Sequence, residues 1–419
     1  MRHPHPSAGF PYGKEELGVT ALNQIQQEKD WTILIYANGN NELEPEMRQA
    51  MLNAEKVGSN PDVNVVIQLG RAKYGLVKLI RQDVDPKADG SWSGVRCYLV
   101  AKGSSTLVGN LKRANMADPK KLYDFIRWGM RFYPAKKYML ILSGHGYQFV
   151  GMMTDYSKKA PYIMGIPEMA RAINMAANEM GRKIDVLVLD TCYFNSIEVI
   201  YELGRDENHS VRSAITHIKN GAIEGLPYDR IIELVRRNSD VEDVTAVIRE
   251  IIDNLSYDLV AFEINHQKLK QIKQLFNDAA SACLSRNIDD GNAPFKKVSD
   301  GPSNTTQTVA FNLMSLVIHF KRVSQSKSAL VIIANRAPDD LELISRYDRL
   351  GFAQGNCWTR LLSNKHVDVN MVAEQKKNLS PLKMRPEEVY AYVSIMNPGL
   401  GEIRKKEILK ELYQYKNWV

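Results

Sequence analysis

Four short runs of apolar residues constrain the fold of this chain more than any other feature. Half-exposed strands alternate apolar and polar residues, but these runs are apolar almost throughout, as in strands covered on both faces. Helical stretches lie between them, and this order predicts a largely parallel sheet with helices on both sides. The runs are TILIYA (32–37), VNVVIQL (63–69), YMLILS (138–143) and DVLVLD (185–190).

The segments around these runs complete an alternating pattern of strands and helices. Asp118 and Pro119 open one helix, with aspartate as the N-cap and proline at the first helical position. Gly204 is expected to close another helix as its C-cap. The alternating segment YGLVKLIRQ (74–82) predicts a half-exposed strand. The other predicted elements are helices at 44–57, 167–180 and 195–204 and a strand at 95–101.

The sequence changes in character from about residue 258 onwards. A helical pattern covers DLVAFEINHQKLKQIKQLFNDAASACL (258–284), and a polar loop follows at 287–306. A further strand is predicted at 328–334 and a late helix from 358. We predict a flexible arm over residues 1–29, a domain over 30–255, and a mixed α/β portion over 256–419. That last portion either forms a separate unit or packs on the sheet of the first domain.

Composition excludes several classes of protein. The 419 residues carry a net charge of +7, but Lys and Arg are dispersed, and no long basic block predicts nucleic-acid binding. No run of about 18 apolar residues predicts a membrane span, and the N-terminus lacks the apolar core of a signal peptide. We expect a cytoplasmic monomer, or a secreted protein if a leader has been removed. The four cysteines show no CxxC spacing, which argues against zinc or a disulfide framework.

A histidine and a cysteine follow two of the buried strands. LSGHGYQ (142–148) places His145 between two glycines, and LDTCYF (189–194) places Cys192 directly after its strand. Functional groups of parallel sheets lie beyond the carboxyl ends of the strands, so these two side chains are expected to face each other. A nearby imidazole and a nearby helix N-terminus both favour the thiolate, which is the nucleophilic form.

Such a pair predicts acyl transfer through the thiol. Cys192 attacks a carbonyl carbon, and His145 protonates the leaving amine and later takes a proton from water. The backbone N–H groups of Gly146 and Cys192 are the candidate oxyanion donors. Two simpler interpretations stay open. A cysteine after a strand is often a small residue of the core, and a histidine beside a glycine is often a turn residue without a catalytic role. A nucleotide-binding domain is disfavoured, since the strand ends carry neither GxGxxG nor a P-loop.

The same segments resemble the clostripain family of caspase-like cysteine peptidases. DWTILIYANGNNELE (30–44) is similar to the family's opening strand and turn, LSGHGYQ to its histidine motif and LDTCYFNSIEVIYEL (189–203) to its cysteine motif. GLPYD (225–229) is similar to its Gly-aromatic-x-Tyr segment. The spacing between His145 and Cys192 is close to the roughly 50 residues that separate the two in caspases.

The resemblance covers most of residues 30–365 and implies a caspase-like three-layer α/β/α fold and a cysteine endopeptidase. It makes His145 the general acid/base and Cys192 the nucleophile of a reaction on a peptide or protein substrate. It also makes Asp190 a carboxylate of the S1 pocket that favours Arg or Lys at P1, since any other side chain leaves the charge unpaired. The alternative is a caspase-like binding or regulatory module with little or no turnover.

The resemblance also implies self-processing. Relatives are commonly cleaved in the loop after the histidine, which in this chain contains TDYSKKAPY (154–162). Lys158 and Lys159, just before Ala160, offer a basic cleavage site there. The alternative is an ordinary exposed, charged loop.

Two departures from the family pattern affect specificity and cofactors. Where relatives often have a second acidic residue, this chain has Lys219 and Asn220, and Glu224 or Asp229 is left as a substitute. Where relatives often have an aspartate in the first turn, this chain has Asn40. If that aspartate helps to bind calcium in relatives, calcium dependence does not carry over directly, and no metal site is predicted.

Overall fold

A nine-stranded sheet forms the centre of the structure, a computed structural model that describes residues 26–81, 92–218, 220–285, 314, 316–322, 341–362, 379–414 and 418–419. In chain order the strands are β1 (Lys29–Gly39), β2 (Val63–Arg71), β3 (Gly94–Ala101), β4 (Ser104–Lys112), β5 (Ala135–Ser143), β6 (Met152–Asp155), β7 (Tyr162–Met164), β8 (Ile184–Asp190), β9 (Val211–His217), β10 (Leu259–Glu263), β11 (Ile318–Arg322) and β12 (Leu382–Lys383). The large sheet has the order β11-β10-β9-β8-β5-β1-β2-β3-β4, and β12-β7-β6 form a small second sheet.

Helices connect most of these strands. In chain order they are α1 (Glu44–Val57), α2 (Tyr74–Ile80), α3 (Pro119–Phe132), α4 (Ile166–Glu179), α5 (Ile197–Gly204), α6 (Tyr228–Arg237), α7 (Val244–Asn254), α8 (His266–Ser285), α9 (Leu341–Asp348), α10 (Cys357–Leu362), α11 (Pro386–Met396) and α12 (Glu402–Gln414).

Helices cover both faces of the large sheet. Its five central strands, β2-β1-β5-β8-β9, are parallel, and the strands at both edges are antiparallel. Because side chains alternate along a strand, Ile33 and Ile35 of β1 pack towards α1, α6 and α7, whereas Leu34 and Tyr36 pack towards α3, α4, α5 and α8. Both sets of side chains are buried, which explains why the strands are apolar throughout. The predicted three-layer α/β/α class with a mainly parallel sheet is confirmed.

The segment 74–82 is a helix, so the prediction of a half-exposed strand is wrong. Its apolar residues alternate loosely with polar ones, but the same residues also have the spacing of one helical face. In α2 that face is buried and packs against the C-terminal helices α11 and α12. The buried residues are Leu76, Val77, Leu79 and Ile80.

The segment 258–284 is not helical throughout, as was predicted, but begins as a strand. Residues 259–263 form β10, which pairs with β9 and continues the large sheet beyond residue 255, and α8 follows. LVAFE carries the branched and aromatic side chains that fit a sheet, while the polar–apolar pattern of a helix starts only at His266. The loop predicted at 287–306, the strand at 328–334 and most of the arm over 1–29 lie outside the described residues.

The C-terminal helices form a third core beside the large sheet. Val389, Val393 and Ile408 pack with α2 and with Tyr156 and Ile163 of the β6–β7 region. Within the described residues no helix is long and apolar enough to cross a lipid bilayer.

Candidate active site

Three turns lie side by side at the carboxyl edge of the parallel strands. Strand β5 pairs with β1 on one side and β8 on the other, and both registers bring the last residues of the strands to the same level. The turn after β1 carries Glu42, the turn after β5 carries His145, and the turn after β8 carries Cys192. The sheet therefore fixes the order of these turns, with the histidine turn between the other two.

The turns that carry His145 and Cys192 touch through their backbones. The N–H of Gly144 donates to the carbonyl of Asp190 at 3.4 Å. A Cβ added to Gly146 would lie only 2.6 Å from the carbonyl oxygen of Cys192. The structure thus brings the two predicted catalytic residues to one edge of the sheet, and glycine at position 146 permits the approach.

The His145 ring is held by two oxygen atoms. Its Nε2 atom lies 2.6 Å from Oε1 of Glu42 and 2.6 Å from the hydroxyl of Tyr392 on α11. The side chain of Glu42 is fully buried, and that of His145 is 12% exposed. Tyr147 and Tyr392 flank the imidazole, with ring centroids 6.0 Å and 4.9 Å from its own. These contacts fix the plane of the ring and restrict water around it.

The surroundings of Cys192 raise the pKa of its thiol. Burial is the largest cause, and the charge of Asp190 adds to it, while a hydrogen bond from the N–H of Gly221 opposes both. The helix after the cysteine turn, α5, begins at Ile197 rather than near Asn195, and since the field of a helix fades beyond its first turn, its effect on the thiolate stays a prediction. The thiol therefore needs a base to become a nucleophile near neutral pH.

Tyr147 connects the two sides of the histidine turn. Its phenol is buried, and its pKa is raised well above the ordinary value, first by burial and then by the charges of Glu42 and Cys192. The pKa of this phenol therefore depends on both the carboxylate after β1 and the sulfur after β8. A buried phenol with a raised pKa stays neutral at ordinary pH.

Asp190 is buried beneath the site and accepts hydrogen bonds from four groups. One oxygen lies 2.8 Å from Nε2 of His217, at the end of β9. The other accepts from the hydroxyls of Ser143 and Tyr228 and from the N–H of Leu226. Burial alone would raise the pKa of this carboxyl, but the hydrogen bonds and the charge of His217 together lower it. The Asp190 carboxylate is thus partnered by the protein itself.

Glu224 and Asp229 act electrostatically on the same tyrosine, Tyr257, as Asp190 does. The pKa of Tyr257 is raised first by burial and then by the charges of Glu224, Asp190 and Asp229. Glu224 is exposed, whereas Asp229 lies 3.7 Å from the ammonium group of Lys56. Asn220 is exposed at the start of this loop, and Lys219 lies outside the described residues.

The predicted oxyanion donors lie where the two turns meet. An isolated β-bridge pairs Gly146 with Met152, and its hydrogen bonds use the N–H groups of Met153 and Tyr147. Neither of these two bonds uses the N–H of Gly146. Cys192 lies just beyond the end of β8, whose last residue, Asp190, pairs with Ser143 of β5.

Lys158 and Lys159 are exposed in the connection between β6 and β7. Lys158 donates to the carbonyl of Arg113 at 3.2 Å. Their flanks, Tyr156 and Ala160, are buried. Only these two lysines of the connection project to solvent, so cleavage beside them requires the connection to open.

Asp155, which lies beside the turn after β1, has both carboxylate oxygens occupied by donors of the protein. The amide nitrogen of Asn40 donates to Oδ2 of Asp155 at 2.7 Å, and the same oxygen accepts from the N–H of Met116 at 2.6 Å. Oδ1 of Asp155 accepts from the N–H of Ser157. Nitrogen donors therefore surround the carboxylate where a cation would need free oxygen ligands. In the part of the chain that the structure describes, no cluster of three or more His, Cys, Asp or Glu residues is placed to hold a metal.

Three residues of the site were missed at the level of sequence. Glu42 follows a predicted strand, so the rule that identified His145 and Cys192 would have identified it too. His217 ends β9, which was not predicted as a strand. Tyr392 lies 247 residues after His145 and carries no local signal.

A doubly covered parallel sheet with a histidine turn and a cysteine turn at its carboxyl edge defines the class of caspase-like cysteine peptidases. The chain belongs to the clostripain family, whose sequence model matches residues 36–352. It is accordingly a hydrolase of the cysteine peptidase type. No curated protein is similar enough in sequence to match the chain.

Solved structures of cysteine proteases share this fold. A secreted protease from Bacteroides thetaiotaomicron called iotapain is 15% identical, with a TM-score of 0.51 over 78% of this chain and 99% of that one. A secreted protease from the same species in complex with an irreversible peptide inhibitor is 14% identical, with a TM-score of 0.52 over 80% and 99%. An inactive zymogen from Parabacteroides distasonis is 16% identical, with a TM-score of 0.50 over 81% and 99%. At these identities the likeness concerns the fold alone.

Proposed function

We propose that the protein is a cysteine endopeptidase in which Cys192 is the nucleophile and His145 the general acid/base. One observation carries the proposal: the two turns are in backbone contact at Gly146, on adjacent parallel strands of a family whose members are peptidases. Burial raises the pKa of the Cys192 thiol, so this cysteine depends on a neighbouring base, and His145 is the base on the next strand.

The proposed reaction proceeds through an acyl-enzyme. The Cys192 proton passes to His145 as the sulfur bonds to the scissile carbonyl carbon, and the N–H groups of Gly146 and Cys192 stabilise the oxyanion. His145 then gives the proton to the leaving amine as the C–N bond breaks. Water attacks the thioester with His145 as base, and the proton returns to the sulfur as the carboxylic acid leaves.

Preference for Arg or Lys at P1 is the second part of the proposal. The charges of Glu224, Asp190 and Asp229 all raise the pKa of Tyr257, after burial, and Asp190 ends the strand that precedes Cys192. His217 partners Asp190, and Lys56 lies beside Asp229, so Glu224 contributes the exposed charge of the group. A cationic P1 side chain is favoured by such a pocket because it pairs with that charge.

Self-processing beside Lys158 and Lys159 is the third part. Both residues are exposed and basic, as the proposed specificity requires. Because their flanks are buried, the reaction needs local opening of the β6–β7 connection, and cleavage is expected to be slower than that of an unfolded peptide.

The deciding experiment is P1 profiling with a peptide library, run with the wild-type protein and with Cys192→Ala. The variant is expected to lose hydrolysis by at least about a thousandfold and to give no two-chain product. Cys357→Ala is the matched control, since Cys357 is also a half-buried free thiol, and it should retain activity.

Each part of the proposal fails on a different result. Hydrolysis that persists in Cys192→Ala excludes this nucleophile, and a two-chain product from the purified variant excludes self-processing. A preference for neutral P1 residues excludes the basic pocket and leaves the dyad intact. A wild-type protein that hydrolyses no member of the library supports a binding or regulatory module.

A further inference from the structure

We propose that Glu42 and Tyr392 are positioning residues that hold His145 so that its other ring nitrogen, Nδ1, serves the thiol of Cys192. The inference rests on the proposed function and adds a carboxylate and a phenol to the catalytic pair. It starts from the sheet order, which places the histidine turn of β5 between the Glu42 turn of β1 and the Cys192 turn of β8.

The contacts of the imidazole support this arrangement. Oε1 of Glu42 and the Tyr392 hydroxyl both lie 2.6 Å from Nε2 of His145, and neither contact involves Nδ1. A carboxylate accepts the N–H of a neutral imidazole, which fixes the tautomer with its proton on Nε2. The lone pair is then on Nδ1, the nitrogen available to take the proton of the thiol.

The burial of Glu42 supports an electrostatic role. Its side chain is fully buried, and within the described residues no group hydrogen-bonds its second oxygen, Oε2. A buried carboxylate with so few partners is stabilised by a nearby cation. When the thiol proton moves to Nδ1, the imidazolium is that cation, so Glu42 stabilises the charge that forms during the reaction.

Tyr392 reaches the site from a part of the chain that the family match does not include. The match ends at residue 352, whereas Tyr392 lies on α11. The helix is held in place by the amide of Asn397, which donates to the carbonyl of Ile80 at 2.6 Å, and by the third core. The phenol therefore approaches His145 from a fixed support.

Substitution of Glu42 tests the inference by kinetics. Glu42→Gln keeps the size of the side chain and removes its charge. We expect kcat to fall by roughly tenfold or more with KM little changed, because the interaction stabilises a charge made only in the reaction. Glu42→Asp, which restores the charge, is expected to recover part of the loss. A Glu42→Gln enzyme with wild-type kcat overturns the inference.

Alkylation of Cys192 by iodoacetamide gives a readout that needs no turnover. In the wild type, Glu42 stabilises the imidazolium that forms when the thiol proton moves to His145, and this increases the thiolate fraction at pH values below the raised pKa of the thiol. In Glu42→Gln the ratio of alkylation rates at about pH 6 and about pH 9 is expected to fall severalfold. An unchanged ratio overturns the role of Glu42. If the wild type hydrolyses no peptide, the proposed function fails, and this ratio still decides the inference.

Tyr392 is tested against a tyrosine on the same helix. Tyr392→Phe removes one hydrogen-bonding group from Nε2 and is expected to lower kcat by roughly threefold to tenfold, with an unchanged unfolding midpoint. Tyr390→Phe is the matched control, because its hydroxyl is exposed and bonds Glu402 instead. If kcat instead increases in Tyr392→Phe, the phenol holds His145 in an orientation that is unfavourable for catalysis. That result overturns the positioning role.

Discussion

Gly146 lets two backbones in the site approach more closely than any residue with a side chain would allow. A Cβ at this position would lie 2.6 Å from the carbonyl oxygen of Cys192 and 2.9 Å from the ring of Phe194. Real Cβ atoms do not sit this close to backbone or ring atoms, so one of the two turns has to move. The glycine matters here for space rather than for backbone conformation.

Gly146→Ala is therefore expected to damage catalysis more than stability. Displacement of the Cys192 turn misplaces both the sulfur and the proposed oxyanion donors, so kcat/KM should fall by about a hundredfold or more. The free energy of unfolding should fall by about 1–3 kcal/mol, as in other overpacked sites. Peptide hydrolysis and urea unfolding measure the two effects. Gly399→Ala is the control, since an added Cβ there meets nothing within 4 Å; equal losses in both variants would contradict the expectation.

At the same scale, sequence reasoning finds some residues of the site and misses others for physical reasons. His145 and Cys192 follow uniformly apolar strands, so their place at the carboxyl edge could be predicted. Glu42 was open to the same argument. His217 was not, because VRSAITH mixes polar and apolar residues and gives a weak strand signal. Tyr392 depends on a contact between distant segments, which no local pattern encodes.

At the scale of elements, the start of α3 shows how local sequence sets a boundary. Asp118 accepts a hydrogen bond from the N–H of Lys120 at 2.9 Å, and Pro119 occupies the first turn, where its missing N–H is not needed. The helix then buries Leu122, Phe125 and Ile126 against the sheet.

Loss of this cap should destabilise the protein by a small, measurable amount. Asp118→Ala is expected to lower the free energy of unfolding by about 1 kcal/mol, because it leaves a helical N–H without its acceptor. Asp118→Asn keeps an acceptor oxygen and should cost clearly less. Urea unfolding of the three proteins provides the measurement, and an alanine variant as stable as the asparagine variant would show that the cap contributes nothing.

Elements with a strong local signal were predicted well, and those that depend on their neighbours were not. The strands β1, β2, β5 and β8 and the helix α3 agree with their predicted positions. α2 was mistaken for a strand because a helix of only two turns offers too few residues to separate the two periodicities. β10 was mistaken for helix because its five residues run directly into the longer helical pattern of α8, which hid the strand signal of LVAFE.

At the scale of the whole molecule, Asp190 joins several elements in one buried network. It ends β8 and accepts hydrogen bonds from β5, from His217 of β9, and from Leu226 and Tyr228 at the start of α6. The pKa of Asp190 lies below its ordinary value of 3.8. A carboxyl with a lowered pKa stabilises the fold above that ordinary value, and this contribution is lost as the pH falls through the folded-state pKa.

Asp190→Asn is expected to reveal this contribution. At about pH 7 the variant should lose about 3 kcal/mol of unfolding free energy, as when one partner of a buried ion pair is removed. The difference from the wild type should begin to narrow as the pH falls below 3.8, where the carboxyl of the unfolded chain takes up its proton, and should narrow further as the pH falls through the lower folded-state pKa. Urea unfolding at about pH 7 and about pH 3 tests this, with exposed Asp240→Asn as the control. A difference that stays constant with pH would contradict it.

The layered architecture could be predicted from the sequence, but the order of the strands could not. Uniformly apolar strands require cover on both faces, and that requirement alone defines three layers. The antiparallel edges are formed by β3-β4 and β10-β11. The local sequence of each of these segments does not indicate which strand it pairs with. For the same reason the third core, in which the C-terminal helices cover α2, could not be predicted from the sequence.

The position of Tyr392 has a consequence for the order of biosynthesis. Translation produces the histidine turn 247 residues before the phenol that contacts it. A nascent chain therefore already contains His145 and Cys192 before α11, the helix that carries Tyr392, has been synthesised. A ribosome-bound intermediate should accordingly be a poor enzyme, and full competence arrives only when that late helix docks.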